Sequence, residues 1–238
     1  MKRRAMAADT TTLRPSAKRA MAASRPVTLA RAVARTVYGL ESLTLIAYGV
    51  KTPYLTAIGN HDRHKPHGIT NDAVYRATFG SPDYSFTRGG WKFVVVDSSA
   101  GRITPAQLKW LKGELDPSQK TVVFTHIPPA PLWEWTDWGA MKGAGGFKDG
   151  SAEFMALMTA NKVTRVYMGH IHAFWAADHK GVRYVISGGG GSPLYPLPPG
   201  YPKKRFAHYM TVAASPLGLV ETVHPYHGSS FVLPPVKP

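Results

Sequence analysis

Four side chains able to hold a divalent cation stand in three short polar clusters. They are Asn60 in Gly59-Asn60-His61-Asp62, His126 in His126-Ile127-Pro128-Pro129, and His170 with His172 in Gly169-His170-Ile171-His172. Asn60 offers a carbonyl oxygen and each imidazole a nitrogen lone pair, a donor set that suits Zn, Mn or Fe. In an extended or tightly turned His-x-His segment the two rings can face one cavity yet serve two neighbouring ions. His61 and Asp62 carry a different chemistry. An imidazole beside a departing oxygen donates a proton, and a carboxylate next to it fixes its tautomer and keeps the imidazolium charged. Asp62 is equally suited to forming or capping a turn. A lone histidine is more often a hydrogen-bonded, partly buried ring; three clusters in one topological position favour ligation.

That shared position comes from the elements between the clusters. Short β-rich runs, Tyr54 to Ile58, Lys92 to Val96, Thr121 to Thr125, Val163 to Met168 and Val182 to Ile186, read as strands, several of them apolar throughout as in a sheet covered on both faces. Asn71 to Phe79, Pro105 to Leu115 and Ser151 to Asn161 read as helices, the second opened by Thr104 as cap with Pro105 in the first turn. Alternating strands and helices define an α/β core, and each cluster directly follows a strand, where such proteins gather functional groups. From Tyr209 onward the pattern predicts further strands, then a Pro-rich tail, Leu233 to Pro238, without fixed structure.

In identity and order, Gly59-Asn60-His61-Asp62, then His126 with Pro128-Pro129 after it, then Gly169-His170-Ile171-His172 resemble the last three motifs of the calcineurin-like metallophosphoesterases. The resemblance runs from about Pro53 to Ser192. It implies a layered α/β/β/α sandwich with a two-metal site at the strand ends. It further implies that Asn60, His126 and His170 hold one ion, that His172 contributes to the other, and that His61 faces the leaving group with Asp62 orienting its ring. The implied activity is hydrolysis of a phosphomonoester or phosphodiester by a metal-activated water. Two cations clamp the phosphoryl group and neutralise charge on its oxygens, so no covalent enzyme intermediate is needed.

The resemblance also implies two earlier motifs, an Asp-x-His on the first strand and a Gly-Asp on the second, that do not occur here. Before Asn60 the only acids are Asp9 and Glu41, and neither has the required neighbours. Without a bridging carboxylate, repulsion between two cations should weaken the second, so at most one well-held ion is expected. Three explanations compete: a truncated or frame-shifted reading of a complete gene, a degenerate homologue that binds phosphorylated ligands or a protein partner without catalysis, and a site completed by other groups. The first is favoured, because an Arg/Ala/Ser/Thr-rich stretch stands where two strands are due. The expected domains are a basic appendage over residues 1–48, disordered or partly helical from about Val27 to Tyr48, an incomplete phosphoesterase domain over 49–232, and the tail 233–238.

Composition adds exclusions. There is no Cys, which removes disulfide scaffolds, Cys-ligated zinc, iron–sulfur clusters and thiol nucleophiles. With 29 Lys+Arg against 14 Asp+Glu, the net charge of +15 suits anionic partners, phosphate esters first. Residues 1–40 hold much of the excess, and nucleic acid is the rival partner for that arm. No run of about eighteen apolar residues and no secretory signal is recognisable, so no membrane span is expected and a cytoplasmic location is the default. Trp133, Trp135 and Trp138 lie in a Gly-containing connection placed to overhang the site, with packing of that loop the rival role. Gly188 to Gly191 could bring amides near a phosphate or simply turn the chain.

Overall fold

A computed structural model describes residues 54–63, 71–132, 146–191, 193–194 and 206–236. The expected basic segment 1–48 with its helix, and the connection carrying Trp133, Trp135 and Trp138, lie outside the described residues. Six strands form the main sheet: β1 Tyr84–Arg88, β2 Trp91–Val95, β3 Thr121–Phe124, β4 Arg165–Met168, β5 Phe174–His179 and β6 Val182–Ser187. Their order is β1-β2-β3-β4-β6-β5, with β2, β3, β4 and β6 parallel and the two outer strands antiparallel to their neighbours. A second, antiparallel sheet holds β7 His208–Ser215, β8 Gly218–Pro225 and β9 Phe231–Val232. Three helices, α1 Ala73–Phe79, α2 Pro105–Glu114 and α3 Ser151–Ala160, complete the described elements.

Period-two alternation sends the main sheet's side chains into two cores. Val94, Val123, Val166 and Tyr184 stand in one row, paired strand to strand, and pack with Leu111 of α2 and with Phe154 and Met158 of α3. Trp91, Val122, Tyr167 and Val185 point the other way and meet Val223 of the second sheet. Helices α2 and α3, main sheet and second sheet thus form three successive layers among the described residues, of the expected α/β class. Both faces of the main sheet are covered, which is why its parallel strands read as largely apolar runs. Burying one such side chain contributes about 2 kcal/mol.

Polar contacts hold the second sheet in place. Glu221, nearly fully buried, accepts from Arg165 Nε at 2.7 Å and from the Tyr167 hydroxyl at 2.6 Å. Trp91 Nε1 donates to the Ser215 carbonyl at 2.9 Å. The stretch after β9, expected to lack fixed structure, is docked over residues 233–236. Leu233 N–H donates to Glu221 O at 2.9 Å, and Arg183 donates to the carbonyls of Pro234 and Pro235. Proline lacks an amide donor but keeps its carbonyl acceptor, and a buried guanidinium uses it.

Element boundaries follow the expected ones within two residues for α1, α2, α3, β2, β3, β4 and β6. Thr104 caps α2 through a reciprocal box, its Oγ1 accepting from Gln107 N–H at 3.3 Å while Gln107 Oε1 accepts from Thr104 N–H at 2.9 Å. Tyr54 to Ile58 differs from its expectation as a strand, because it joins no ladder among the described residues. The Thr56 carbonyl accepts from two tyrosine hydroxyls instead, Tyr75 at 3.0 Å and Tyr84 at 2.9 Å. Strands β1 and β5 were not foreseen. Each closes a hairpin, one through Gly89-Gly90 and the other through Lys180-Gly181, all four residues with positive φ as tight two-residue turns require.

Candidate metal centre

Because β2, β3, β4 and β6 are parallel, their carboxyl ends share one edge of the sheet, and the loops leaving β3 and β4 carry His126 and His170-Ile171-His172. Residues 54–59 bring a third segment there, ending in a 3-10 turn, Asn60–Asp62. Asp62 closes that turn: its Oδ2 accepts from Gly59 N–H at 2.8 Å, and its own N–H donates to Gly59 O at 3.1 Å. Its carboxylate is thus engaged by the backbone, the turn-forming role weighed from sequence. His61, between Asn60 and Asp62, is exposed.

The loop after β4 turns twice in succession, with Ile171 N–H on Gly169 O and Ala173 N–H on Ile171 O, both at 2.7 Å. His170 takes φ +66°, a left-handed conformation that disfavours any residue with a Cβ and that recurs at functional sites. Gly169 N–H donates to His126 O at 3.0 Å, tying this loop to the one after β3.

Asn60, His126 and His170 converge. Asn60 Oδ1 lies 2.9 Å from His126 Nε2 and 3.2 Å from His170 Nδ1, and the two rings meet edge-on with centroids 5.3 Å apart. Donors each about 2 Å from a shared ion stand about 3 Å from one another, so the two distances from Asn60 Oδ1 suit a shared ion. Two glycines make room for the His126 ring. A Cβ on Gly59 would come 3.1 Å from its Cε1, and one on Gly169 would come 3.3 Å from its Nδ1. His172 is half-buried, and its Nδ1 donates to the Pro193 carbonyl at 2.8 Å. A backbone carbonyl on one ring nitrogen is the usual support of a ligating histidine.

Burial keeps the His126 and His170 rings neutral. Burial, then the neighbouring charges of His170, His61 and His172, push the His126 imidazolium down to about 3. Burial, then His172 and His61, lower His170 as well. Each of these two rings therefore stays neutral at neutral pH and keeps one lone pair. Among the described residues no three or more His, Asp or Glu side chains group to hold an ion, and the cluster of two imidazoles and one amide contains no carboxylate.

Sequence reasoning passed over a fourth polar cluster, Asp97-Ser98-Ser99, at the carboxyl end of β2. Its position after an apolar run was the available signal. Arg63 joins the Asn60 turn to it, with Nη2 on Asp97 Oδ2 at 2.9 Å and Nε on Ser99 Oγ at 2.7 Å. In the glycine run, which could offer amides or simply turn the chain, Gly188 packs on Ile171 and Gly189 on His208, so closely that a Cβ would collide at 1.8 and 2.2 Å.

The chain belongs to the calcineurin-like phosphoesterase family, whose model matches residues 32–174, a span that includes every candidate ligand and begins ahead of Pro53. It is 29% identical over 138 residues to a 3′,5′-cyclic-nucleotide phosphodiesterase of Nostoc sp., a match covering 54% of this chain and 48% of that protein. The chain thus spans about half the length of the curated relative it matches. In fold it resembles the purple acid phosphatase PPD1 from yellow lupin (Lupinus luteus) seeds, with a TM-score of 0.58, 17% identity, and coverage of 76% of this chain and 40% of that one. Among the described residues no helix is long and apolar enough to cross a membrane.

Proposed function

We propose that this chain hydrolyses phosphoric esters with the help of a bound divalent ion, Zn, Mn or Fe, held by Asn60 Oδ1, His126 Nε2 and His170 Nδ1. The observation that carries the reading is the convergence of those three atoms within 2.9 and 3.2 Å. Likeness to a cyclic-nucleotide phosphodiesterase makes a phosphodiester the first substrate class to try. The chemistry an ion brings is Lewis acidity, through which water becomes a competent nucleophile at neutral pH.

The remaining work falls to the chain itself. The imidazoles at positions 126 and 170 are neutral, so each can bind once its N–H moves to the other ring nitrogen. His172, oriented through the Pro193 carbonyl, serves a second ion position. One ion is favoured over two, because the uncharged set offers nothing to offset repulsion between cations. His61, on the exposed side of the turn, donates a proton to the departing oxygen, and Asp62 presents it by closing that turn.

The test is elemental analysis of the purified chain beside assays on a 3′,5′-cyclic nucleotide and a phosphomonoester, with and without added Mn or Zn. His126→Ala should lose both bound metal and hydrolysis. Equal activity in the two proteins would remove the site from consideration.

A further inference from the structure

We propose that Arg63 and the buried segment Asp97-Ser98-Ser99 are the positioning device of the ion site, holding the Asn60 turn and the His126 loop in register. The proposal rests on the ion-binding reading of Asn60, His126 and His170. Nothing in the chemistry of those three residues brings them together: they come from separate loops, and Asn60 sits on a turn outside the main sheet. Something must hold that turn against the strand ends to a few tenths of an ångström.

The end of β2 does so on two sides. On one side, Arg63 directly follows the Asn60–Asp62 turn and spends two donors on the segment, Nη2 on Asp97 Oδ2 at 2.9 Å and Nε on Ser99 Oγ at 2.7 Å. The pair is desolvated, with side-chain exposures of 14% for Arg63 and 7% for Asp97, so it is directional rather than a loose surface contact. On the other side, Ser98 Oγ, with Ser98 fully buried, accepts from Ile127 N–H and from Thr125 Oγ1, both at 2.7 Å, and lies 3.1 Å from Ile127 O. Those contacts bracket His126 from both neighbours.

The segment is itself fixed. Asp97 N–H donates to Asp83 Oδ1 at 2.8 Å, and Gln107 Nε2 donates to Asp97 O at 2.8 Å. Gln107 belongs to the cap of α2, so the chain of contacts runs from a helix start through the end of β2 to both ligand loops. None of these side chains is a proposed ligand. Their burial and mutual satisfaction fit the supporting shell that orients ligands, whose loss typically costs 10- to 100-fold in metal affinity.

The test uses the full chain, with Zn2+ as probe and long-range 1H–15N spectra of the histidine rings as readout. Arg63→Gln and Ser98→Ala should shift the His126 ring signals in metal-free protein and weaken Zn2+ binding about 10- to 100-fold. Arg63→Lys, which restores one charged donor to Asp97, should recover part of both. Lys92→Gln, which breaks the Lys92–Glu114 ion pair elsewhere, should lower the melting temperature yet leave the rings and Zn2+ affinity as they are. If Ser98→Ala does not fold, Arg63→Gln and its lysine rescue decide alone. Unchanged His126 signals in Arg63→Gln would overturn the proposal, as would equal changes in Lys92→Gln. Failure of Zn2+ to move the wild-type His126 and His170 signals would sink the ion reading instead, while the metal-free ring signals still decide the positioning role.

Discussion

Asn60 Oδ1 lies 2.9 Å from His126 Nε2, a contact between residues 66 positions apart that no local preference of the chain imposes. As an amide oxygen it can only accept, so in the metal-free molecule the ring presents an N–H to it, and an ion would take that proton's place. Asn60→Ala deletes the acceptor from a half-buried turn whose own closure runs through Gly59 and Asp62. It should lower Zn2+ affinity at least about tenfold while changing stability by no more than about 1 kcal/mol. Titration of the apo protein beside a denaturant melt measures both. A large stability loss with unchanged affinity would assign Asn60 a purely structural role.

His170 carries strain that its ligand role would explain. At φ +66° a Cβ is disfavoured by about 1 kcal/mol, whatever the side chain beyond it. His170→Gly and His170→Ala both remove the imidazole and differ in that Cβ. The glycine variant should therefore be the more stable by about 1 kcal/mol, and both should lose ion binding. Matched denaturation curves read the difference; equal stabilities would mean that the loop relaxes out of the left-handed conformation once the ring is gone.

The three ligand clusters were legible because each pairs a turn-forming glycine or proline with His or Asn directly after an apolar run, a local pattern. The parallel core was legible for a similar reason: β3, β4 and β6 are buried on both faces, mostly by apolar residues, and bounded by turn residues. Strands β1 and β5 were missed because hairpin partners at a sheet edge need not be apolar; Ser85, Thr87, Arg88, Asp178 and His179 dilute the signal. Tyr54 to Ile58 is the opposite case: its apolar residues met the rule for a strand, but it joins no ladder among the described residues, where the Thr56 carbonyl accepts from two tyrosine hydroxyls. The positioning contacts of Arg63 and Ser98 escaped entirely, since nothing in a sequence reports which distant backbone a buried hydroxyl will meet.

Glu221 anchors the second sheet to the first. It accepts from Arg165 at 2.7 Å and from Tyr167 at 2.6 Å, and Arg183 Nη1 stands 3.9 Å away, all well shielded from solvent. Desolvating these charges offsets most of their attraction, so the pair adds little compared with apolar packing, yet removing one member strands the others. Glu221→Gln should destabilise the chain by about 3 kcal/mol, read as a lower denaturation midpoint. A change below about 1 kcal/mol would indicate that water reaches the arginines and that the second sheet is held by Trp91, Val223 and their neighbours alone.

His208 should make the fold acid-sensitive from a position outside the ion site. The residue is 5% exposed, with Nδ1 donating to Phe206 O at 2.9 Å and Nε2 3.1 Å from the Ser187 hydroxyl, which donates to it. Burial lowers its pKa, and the Phe206 contact only partly offsets this. The sign follows from linkage. Below about pH 6.5 the unfolded chain takes up a proton that the folded ring refuses, so stability is full above that value and is lost as pH falls through the folded pKa. His126, His170 and His179 are lowered too, so the absolute acid limb mixes several rings. The difference between wild type and His208→Gln isolates this one. The wild type should lose more of its stability than the variant between pH 7 and pH 5, and the two should run parallel above pH 7. Melting curves collected across that range measure it, and parallel curves throughout would mean that the folded ring accepts the proton as readily as the unfolded one.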